Sequence, residues 1–131
     1  MTATAATDPI LRGAWLRPGV HVNLLGAFRP DMREADEEVL RRGSVFVDVT
    51  AGALQSGDLH GAVAGGAFDP DDIGADLAAL CSRQPGRTDR ASRTDRTGPT
   101  TGRVDAGEIT VFKSVGFAAA DLLTAQLALT T

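Results

Sequence analysis

The sequence predicts an α/β protein in which a parallel sheet carries helices on both faces. Apolar strand candidates alternate along the chain with helix candidates, in the order strand–helix–strand–helix–strand–helix. The strand candidate at residues 44–49 is apolar almost throughout, which is typical of a strand covered on both faces. Parallel strands need crossover connections, and helices usually supply them.

The individual elements follow from periodicity and from helix end signals. Val20, Val22 and Leu24 alternate with polar residues, which indicates a strand. The first helix has acidic residues early, arginines late and Gly43 behind it, and Ser114 is a suitable N-cap for the last helix. The predicted elements are a strand at residues 19–25, a helix at 34–42, a strand at 44–49, a helix from about 71 to 82, a strand at 108–112 and a helix at 115–129.

Composition limits the classes of protein and partner. The 131 residues fit one domain, and a net charge of −4 argues against nucleic acid as a partner. Cys81 is the only cysteine, which fits a reducing compartment. The first residues lack the features of a signal peptide, and no apolar run approaches the roughly 20 residues that span a bilayer. We therefore expect a cytoplasmic protein without a membrane partner.

An arginine-rich segment divides the chain. Residues 83–107 contain six arginines and almost no large apolar residue, so they cannot offset the entropy of ordering. We predict a disordered insertion at residues 85–106. It separates the larger body, residues 1–84, from a final unit of the same domain, residues 107–131.

Two segments lie where ligands bind in a parallel sheet, at the carboxyl ends of strands. In residues 23–28, Gly26 would allow a ligand to approach the backbone closely. In residues 113–116, a helix N-terminus would offer free N–H groups. Each segment alone is also compatible with an ordinary turn.

Together with three further blocks, these segments resemble the ornithine cyclodeaminase/mu-crystallin family. The blocks occur in the family's order, and the resemblance covers about residues 2–84 and 107–129. It implies a partial Rossmann-type (doubly wound) domain, NAD(P)H as cofactor, a small-molecule substrate and a homodimer. The blocks are residues 15–34 (WLRPGVHVNLLGAFRPDMRE), 44–48 (SVFVD), 56–58 (SGD), 108–116 (EITVFKSVG) and 120–122 (ADL).

The resemblance also implies positions for the site. Val115 would lie beside the substrate, together with Phe28. The residues implied to contact the cofactor are Thr4, Ala5, Val22, Asn23, Leu24, Leu25, Gly26 and Ser114.

Phe28 is a departure from the cyclodeaminases. Those enzymes carry an aspartate here that handles proton transfer, which a phenylalanine cannot do. We therefore assign no catalytic residue. The surrounding motif is similar to the branch that reduces cyclic imino acids such as 1-pyrroline-2-carboxylate, with hydride from the cofactor. Phe28 would pack against a small cyclic substrate; the alternative is a core residue.

A second departure concerns the phosphates of the cofactor. No G-x-G-x-x-G turn occurs, because residues 61–66 do not match its spacing and follow no predicted strand. The substrate-binding arginine and lysine of the family are absent too. We expect a truncated C-terminal portion, inactive alone, that self-associates through an unpaired strand edge or needs a separate front half. The alternatives are a non-catalytic mu-crystallin-like binding module and an ornithine cyclodeaminase-type lyase.

No metal site is predicted. His21, His60 and Cys81 lack the spacing of metal ligands. Residues 69–74 begin like a calcium loop, but Leu80 stands where a bidentate glutamate is required, so we interpret them as a helix cap.

Overall fold

The computed structural model describes residues 1–82 and 103–130, and these form a four-stranded parallel sheet with helical connections. The strand order across the sheet is β1-β4-β2-β3. In chain order the elements are β1 (His21–Leu24), α1 (Glu37–Arg42), β2 (Ser44–Val47), α2 (Thr50–Ala53), α3 (Gly57–Ala64), β3 (Ile73–Asp76), α4 (Leu77–Cys81), β4 (Thr110–Lys113) and α5 (Ala118–Thr130). The predicted α/β class and parallel sheet are confirmed.

The strand that comes last in the chain lies inside the sheet. Lys113 of β4 is in register with Leu24 of β1 on one side and with Val47 of β2 on the other. The carboxyl ends of three strands therefore meet at one edge. On the far side of β1, Thr2 forms a parallel bridge to Leu24, and Thr2 N donates to Asn23 O at 2.9 Å.

Helix α1 begins at Glu37 rather than at residue 34. The Asp36 carboxylate accepts from Val39 N at 3.3 Å and so caps the helix. The amides of Glu34 and Ala35 donate instead to Asp58 Oδ1, at 2.8 and 3.0 Å. A long-range carboxylate thus takes the two donors that would otherwise extend the helix.

The helix predicted from about residue 71 to 82 is wrong in its first half. Residues 73–76 form β3, which pairs in parallel with β2, and the helix begins only at Leu77. Asp76 ends the strand and caps the helix through Ala79 N at 2.8 Å. Pairing with β2 supplies the backbone hydrogen bonds that a helix would have supplied, and it buries Ala75.

The last helix also begins later than predicted. Helix α5 starts at Ala118, so Ser114 is not its N-cap; the Ser114 hydroxyl donates to Asp48 Oδ2 at 2.8 Å. No residue of α5 is buried. Within the described residues, no helix combines the length and the apolar character needed to cross a membrane.

Residues 83–102, which include most of the insertion predicted at residues 85–106, lie outside the described residues. The described end of this insertion contacts the residues that precede β1 and β4, because Arg103 donates to Gly19 O at 2.7 Å and to Glu108 O at 2.8 Å.

The apolar core joins three strands to α1 and α3. No element is predicted between residues 49 and 71, yet α3 lies there and buries Leu59 and Ala62 in this core. The other main members are Val22, Leu24, Val39, Leu40, Val45, Val47 and Val111.

We expect Leu59→Ala to lower the free energy of unfolding by about 2–5 kcal/mol, because Leu59 is fully buried and its loss leaves a cavity. Leu129→Ala is the matched control, since Leu129 is 88% exposed, and it should change stability by less than about 0.5 kcal/mol. Urea denaturation followed by circular dichroism measures both. Equal effects of the two substitutions would contradict this description of the core.

Candidate functional site

The candidate site lies at the carboxyl edge of the sheet, where β1 and β4 end side by side. Ser114 N donates to Leu24 O at 3.0 Å. The residues that follow β1 and those that follow β4 are therefore neighbours. Ligands bind at this edge in open parallel sheets. The sequence predicts that both segments lie at this edge.

Asp48 holds the loop that follows β4. It comes directly after β2 and is only 4% exposed. Its Oδ2 accepts from the Ser114 hydroxyl at 2.8 Å, from Val115 N at 2.9 Å and from Gly116 N at 2.8 Å. Its Oδ1 accepts from Val49 N at 2.7 Å. One buried carboxylate thus fixes the backbone and the side chain of the loop.

Glu34 holds the turn that follows β1. Its buried carboxylate accepts from Thr4 N at 2.5 Å, from Thr4 Oγ1 at 2.9 Å, from Thr2 Oγ1 at 3.0 Å and from Gly26 N at 2.8 Å. Burial alone raises the pKa of Glu34, but the hydrogen bonds from Thr4, Thr2 and Gly26 outweigh it, so the pKa lies below its ordinary value. The carboxylate is therefore ionised near neutral pH.

Lys113 and Asp58 form a fully buried ion pair behind this turn, with Nζ and Oδ2 separated by 3.2 Å. Lys113 Nζ also donates to Gly26 O, and Asp58 Oδ1 accepts from the amides of Glu34 and Ala35. Both polar groups of Gly26 are thus engaged by buried charges, its N–H by Glu34 and its C=O by Lys113.

Gly26 is required by contacts within the chain. A Cβ at this position would lie 2.1 Å from Thr4 O and 2.5 Å from Glu34 Cδ, so no larger residue fits. Ala27 follows with a φ of 50°, in the left-handed region that favours glycine. The close approach that the sequence suggested for a ligand is made by the protein's own residues 4 and 34.

The implied cofactor and substrate residues differ in exposure. Phe28 is 57% exposed, so the alternative that it is a core residue is wrong. The side chains of Val22 and Leu24 are buried in the core. The residues with accessible side chains are Thr4, Ala5, Leu25 and Phe28, which are exposed, and Asn23, Ser114 and Val115, which are half-buried.

Five buried charged residues were not assigned a role from the sequence: Glu34, Asp48, Asp58, Glu108 and Lys113. The sequence positions of two of them, Lys113 and Asp48, could have indicated their burial. Lys113 is the only lysine of the chain and follows the apolar strand residues Val111 and Phe112, and Asp48 likewise ends an apolar run. A charge at the end of a buried strand must find a partner, which predicts a buried ion pair or hydrogen-bond network.

The ring nitrogens of His21 lie close to two oxygen atoms of the protein. His21 contacts Thr110 Oγ1 at 2.8 Å and Asn23 Oδ1 at 3.2 Å. Among residues 1–82 and 103–130, no three or more His, Cys, Asp or Glu side chains are grouped so that they could hold a metal ion.

We expect Lys113→Met to lower the free energy of unfolding by about 3–5 kcal/mol, because it leaves the Asp58 carboxylate buried without its cation. Arg29→Met is the control, since the Arg29–Asp31 pair is exposed and its loss should leave the urea midpoint almost unchanged. Urea denaturation at neutral pH measures both. A Lys113→Met protein as stable as the control would show that the ion pair is not structurally important.

The Glu34 carboxylate should make the free energy of unfolding depend on pH. Because its pKa is lowered on folding from 4.5, its stabilising effect is complete above that pH and is lost as the pH falls through the folded pKa. Glu34→Gln should therefore be clearly less stable than the unmodified protein at about pH 7, and the difference should shrink towards about pH 3. Urea titrations at both pH values test this. Glu37→Gln is the exposed control, and a Glu34→Gln difference as independent of pH as that of the control would refute it.

Sequence comparison places the chain among known proteins. The model of the ornithine cyclodeaminase/mu-crystallin family matches residues 1–94. Delta(1)-pyrroline-2-carboxylate reductase of Paracoccus denitrificans is 40% identical over 126 residues, which are 95% of this chain and 35% of the relative. Ketimine reductase mu-crystallin of Mus musculus is 38% identical over 130 residues, which are 97% of this chain and 33% of the relative. The chain thus spans about a third of the length of these relatives.

Structural comparison agrees. The Thermococcus litoralis Delta(1)-pyrroline-2-carboxylate reductase in complex with NADH and L-proline superimposes with a TM-score of 0.78 and 37% identity, covering 96% of this chain and 35% of that chain. This match confirms the prediction of a partial Rossmann-type sheet. The family model covers well over half of the residues, in agreement with the five motif blocks. The chain belongs to the ornithine cyclodeaminase/mu-crystallin family.

Proposed function

We propose that this chain forms the nicotinamide-binding part of an NAD(P)H-dependent reductase of small cyclic imino acids similar to 1-pyrroline-2-carboxylate. The observation that carries the proposal is the Ser114 N to Leu24 O hydrogen bond of 3.0 Å, which joins the two segments at one edge of the sheet. Similarity to a pyrroline-2-carboxylate reductase and to a ketimine reductase supports the reaction class.

The residues at this edge fit a flat ring that carries an amide. Leu25 offers an exposed apolar side chain, and Asn23 and Ser114 offer half-buried polar ones. The buried carboxylates Glu34 and Asp48 keep both segments in place before any ligand binds, which lowers the entropic cost of binding. When bound, NAD(P)H would supply the hydride that reduces a C=N bond.

Apolar residues are suited to the substrate side. Phe28 is exposed and follows the rigid turn at Gly26 and Ala27, and Val115 is held by its N–H bond to Asp48. Both would pack against a small ring. Phe28 has no titratable group, which disfavours the cyclodeaminase reaction because that reaction needs proton transfer at this position.

The phosphate groups of a dinucleotide lack a matching loop in this sequence. The glycine-rich residues 61–66 lie at the carboxyl end of α3, where the helix dipole disfavours an anion. We therefore expect these 131 residues by themselves to bind NADH weakly, mainly through the nicotinamide end, and to show no measurable turnover.

NMR titration of the chain with NADH tests the proposal. Amide shifts should move for residues 23–25 and 114–115 and stay constant for α1. With NADH present, L-proline should bind as a stable analogue of the cyclic product, and Phe28→Ala should weaken the binding of L-proline about tenfold while changing that of NADH little. Trp15→Ala is the matched control, because Trp15 is another exposed aromatic residue.

Two results would contradict the proposal. One is NADH-induced shifts that are absent at both segments or that lie elsewhere. The other is an equal effect of Phe28→Ala and Trp15→Ala on L-proline, which would remove Phe28 from the substrate site and leave the nicotinamide part standing.

A further inference from the structure

We infer that Asp48 fixes the Ser114 hydroxyl as a hydrogen-bond acceptor, so that the site selects the carboxamide of nicotinamide and rejects the carboxylate of nicotinic acid. The inference rests on the proposed function and adds a specificity rule to it. Asp48 acts through Ser114 and is therefore a positioning residue, whereas Ser114 would contact the ring substituent.

The surroundings of Asp48 determine its role. Its carboxylate is nearly buried and accepts four hydrogen bonds, three at Oδ2 and one at Oδ1. Three of the four donors are backbone N–H groups, which can only donate. Two of these N–H groups, those of Val115 and Gly116, donate to Oδ2, so this oxygen acts as an acceptor towards the loop.

The proton of Ser114 is assigned by this arrangement. A hydroxyl has one proton and two lone pairs, and the 2.8 Å contact with Asp48 Oδ2 requires the serine to donate. Gly116 N donates to Ser114 Oγ at 3.2 Å and occupies one lone pair. Ser114 is half-buried, and its oxygen has one lone pair left, so towards a ligand this oxygen can only accept.

An oxygen that can only accept distinguishes two ring substituents of nearly equal shape, the carboxamide and the carboxylate. A carboxamide has an N–H that can donate to Ser114 Oγ, whereas a carboxylate has no donor. The carboxylate would also bring a second negative charge close to Asp48. The neighbouring cation, Lys113, cannot offset this, because its Nζ is buried and bonded to Gly26 O and Asp58 Oδ2.

The test compares the binding of NADH and of its acid analogue, reduced nicotinic acid adenine dinucleotide, to the full 131-residue chain by NMR titration. The unmodified protein should bind NADH at least about tenfold more tightly. Ser114→Ala removes the acceptor, so it should weaken the binding of NADH and leave the binding of the acid analogue unchanged. Asp48→Ala frees the hydroxyl to donate and removes the charge. In both variants the preference should fall to about threefold or less.

Asp36→Ala is the matched control. Asp36 also accepts two backbone N–H bonds, from Gly13 at 2.8 Å and Val39 at 3.3 Å, but it contacts neither Ser114 nor Gly26. This variant should lose stability and keep the preference. Loss of preference in Asp36→Ala as well would assign the effect to general destabilisation and overturn the inference.

The remaining outcomes separate the inference from the proposed function. If the unmodified protein binds both dinucleotides equally at residues 23–25 and 114–115, the specificity rule is wrong and the nicotinamide site stands. If it binds neither, the proposed function is wrong and the inference fails with it. If Asp48→Ala does not fold, Ser114→Ala decides, and an unchanged preference in that variant overturns the inference.

Discussion

The structure of the carboxyl edge depends on the buried ion pair between Lys113 and Asp58. Lys113 Nζ reaches Gly26 O across 87 residues of sequence and Asp58 Oδ2 across 55, and so ties β4 to the turn after β1 and to α3. Asp58 in turn takes the amides of Glu34 and Ala35. Taking two charges out of water is costly, and the cost is offset only when hydrogen bonds surround both charges, as they do here.

Three buried carboxylates accept hydrogen bonds from backbone N–H groups that lie outside helices and strands. Glu34 accepts from the amides of Thr4 and Gly26, Asp48 from those of Val49, Val115 and Gly116, and Asp58 from those of Glu34 and Ala35. Loops at a functional edge leave backbone N–H groups without sheet or helix partners. In this protein buried carboxylates accept hydrogen bonds from those N–H groups, so the backbone at this edge is satisfied without regular secondary structure.

The strands with a clear apolar pattern, β1, β2 and β4, could be predicted from the sequence, as could α1, because their patterns are local. The strand β3 could not, since Gly74 and Asp76 give it no strand pattern and only pairing with β2 reveals it. The position of Ser114 also could not be foreseen in detail. Its hydroxyl bonds Asp48, 66 residues away, and local sequence contains no information on such a partner.

The family resemblance correctly indicated the fold and brought the two segments of the candidate site to notice. It did not indicate which of those residues face outwards. The alternation in β1 sends Val22 and Leu24 into the core and leaves Asn23 and Leu25 accessible, and that division depends on which face of the sheet α1 and α3 cover.

The place of β4 between β1 and β2 has a consequence for how the protein is made. While a ribosome is still synthesising the residues before 110, β1 and β2 have no common partner, and Val111 is absent from the core that it completes. Both strands then present open edges to other chains. The sheet can therefore be completed only after residues 110–113 have been made, and until then the open edges of β1 and β2 are sites where other chains could pair.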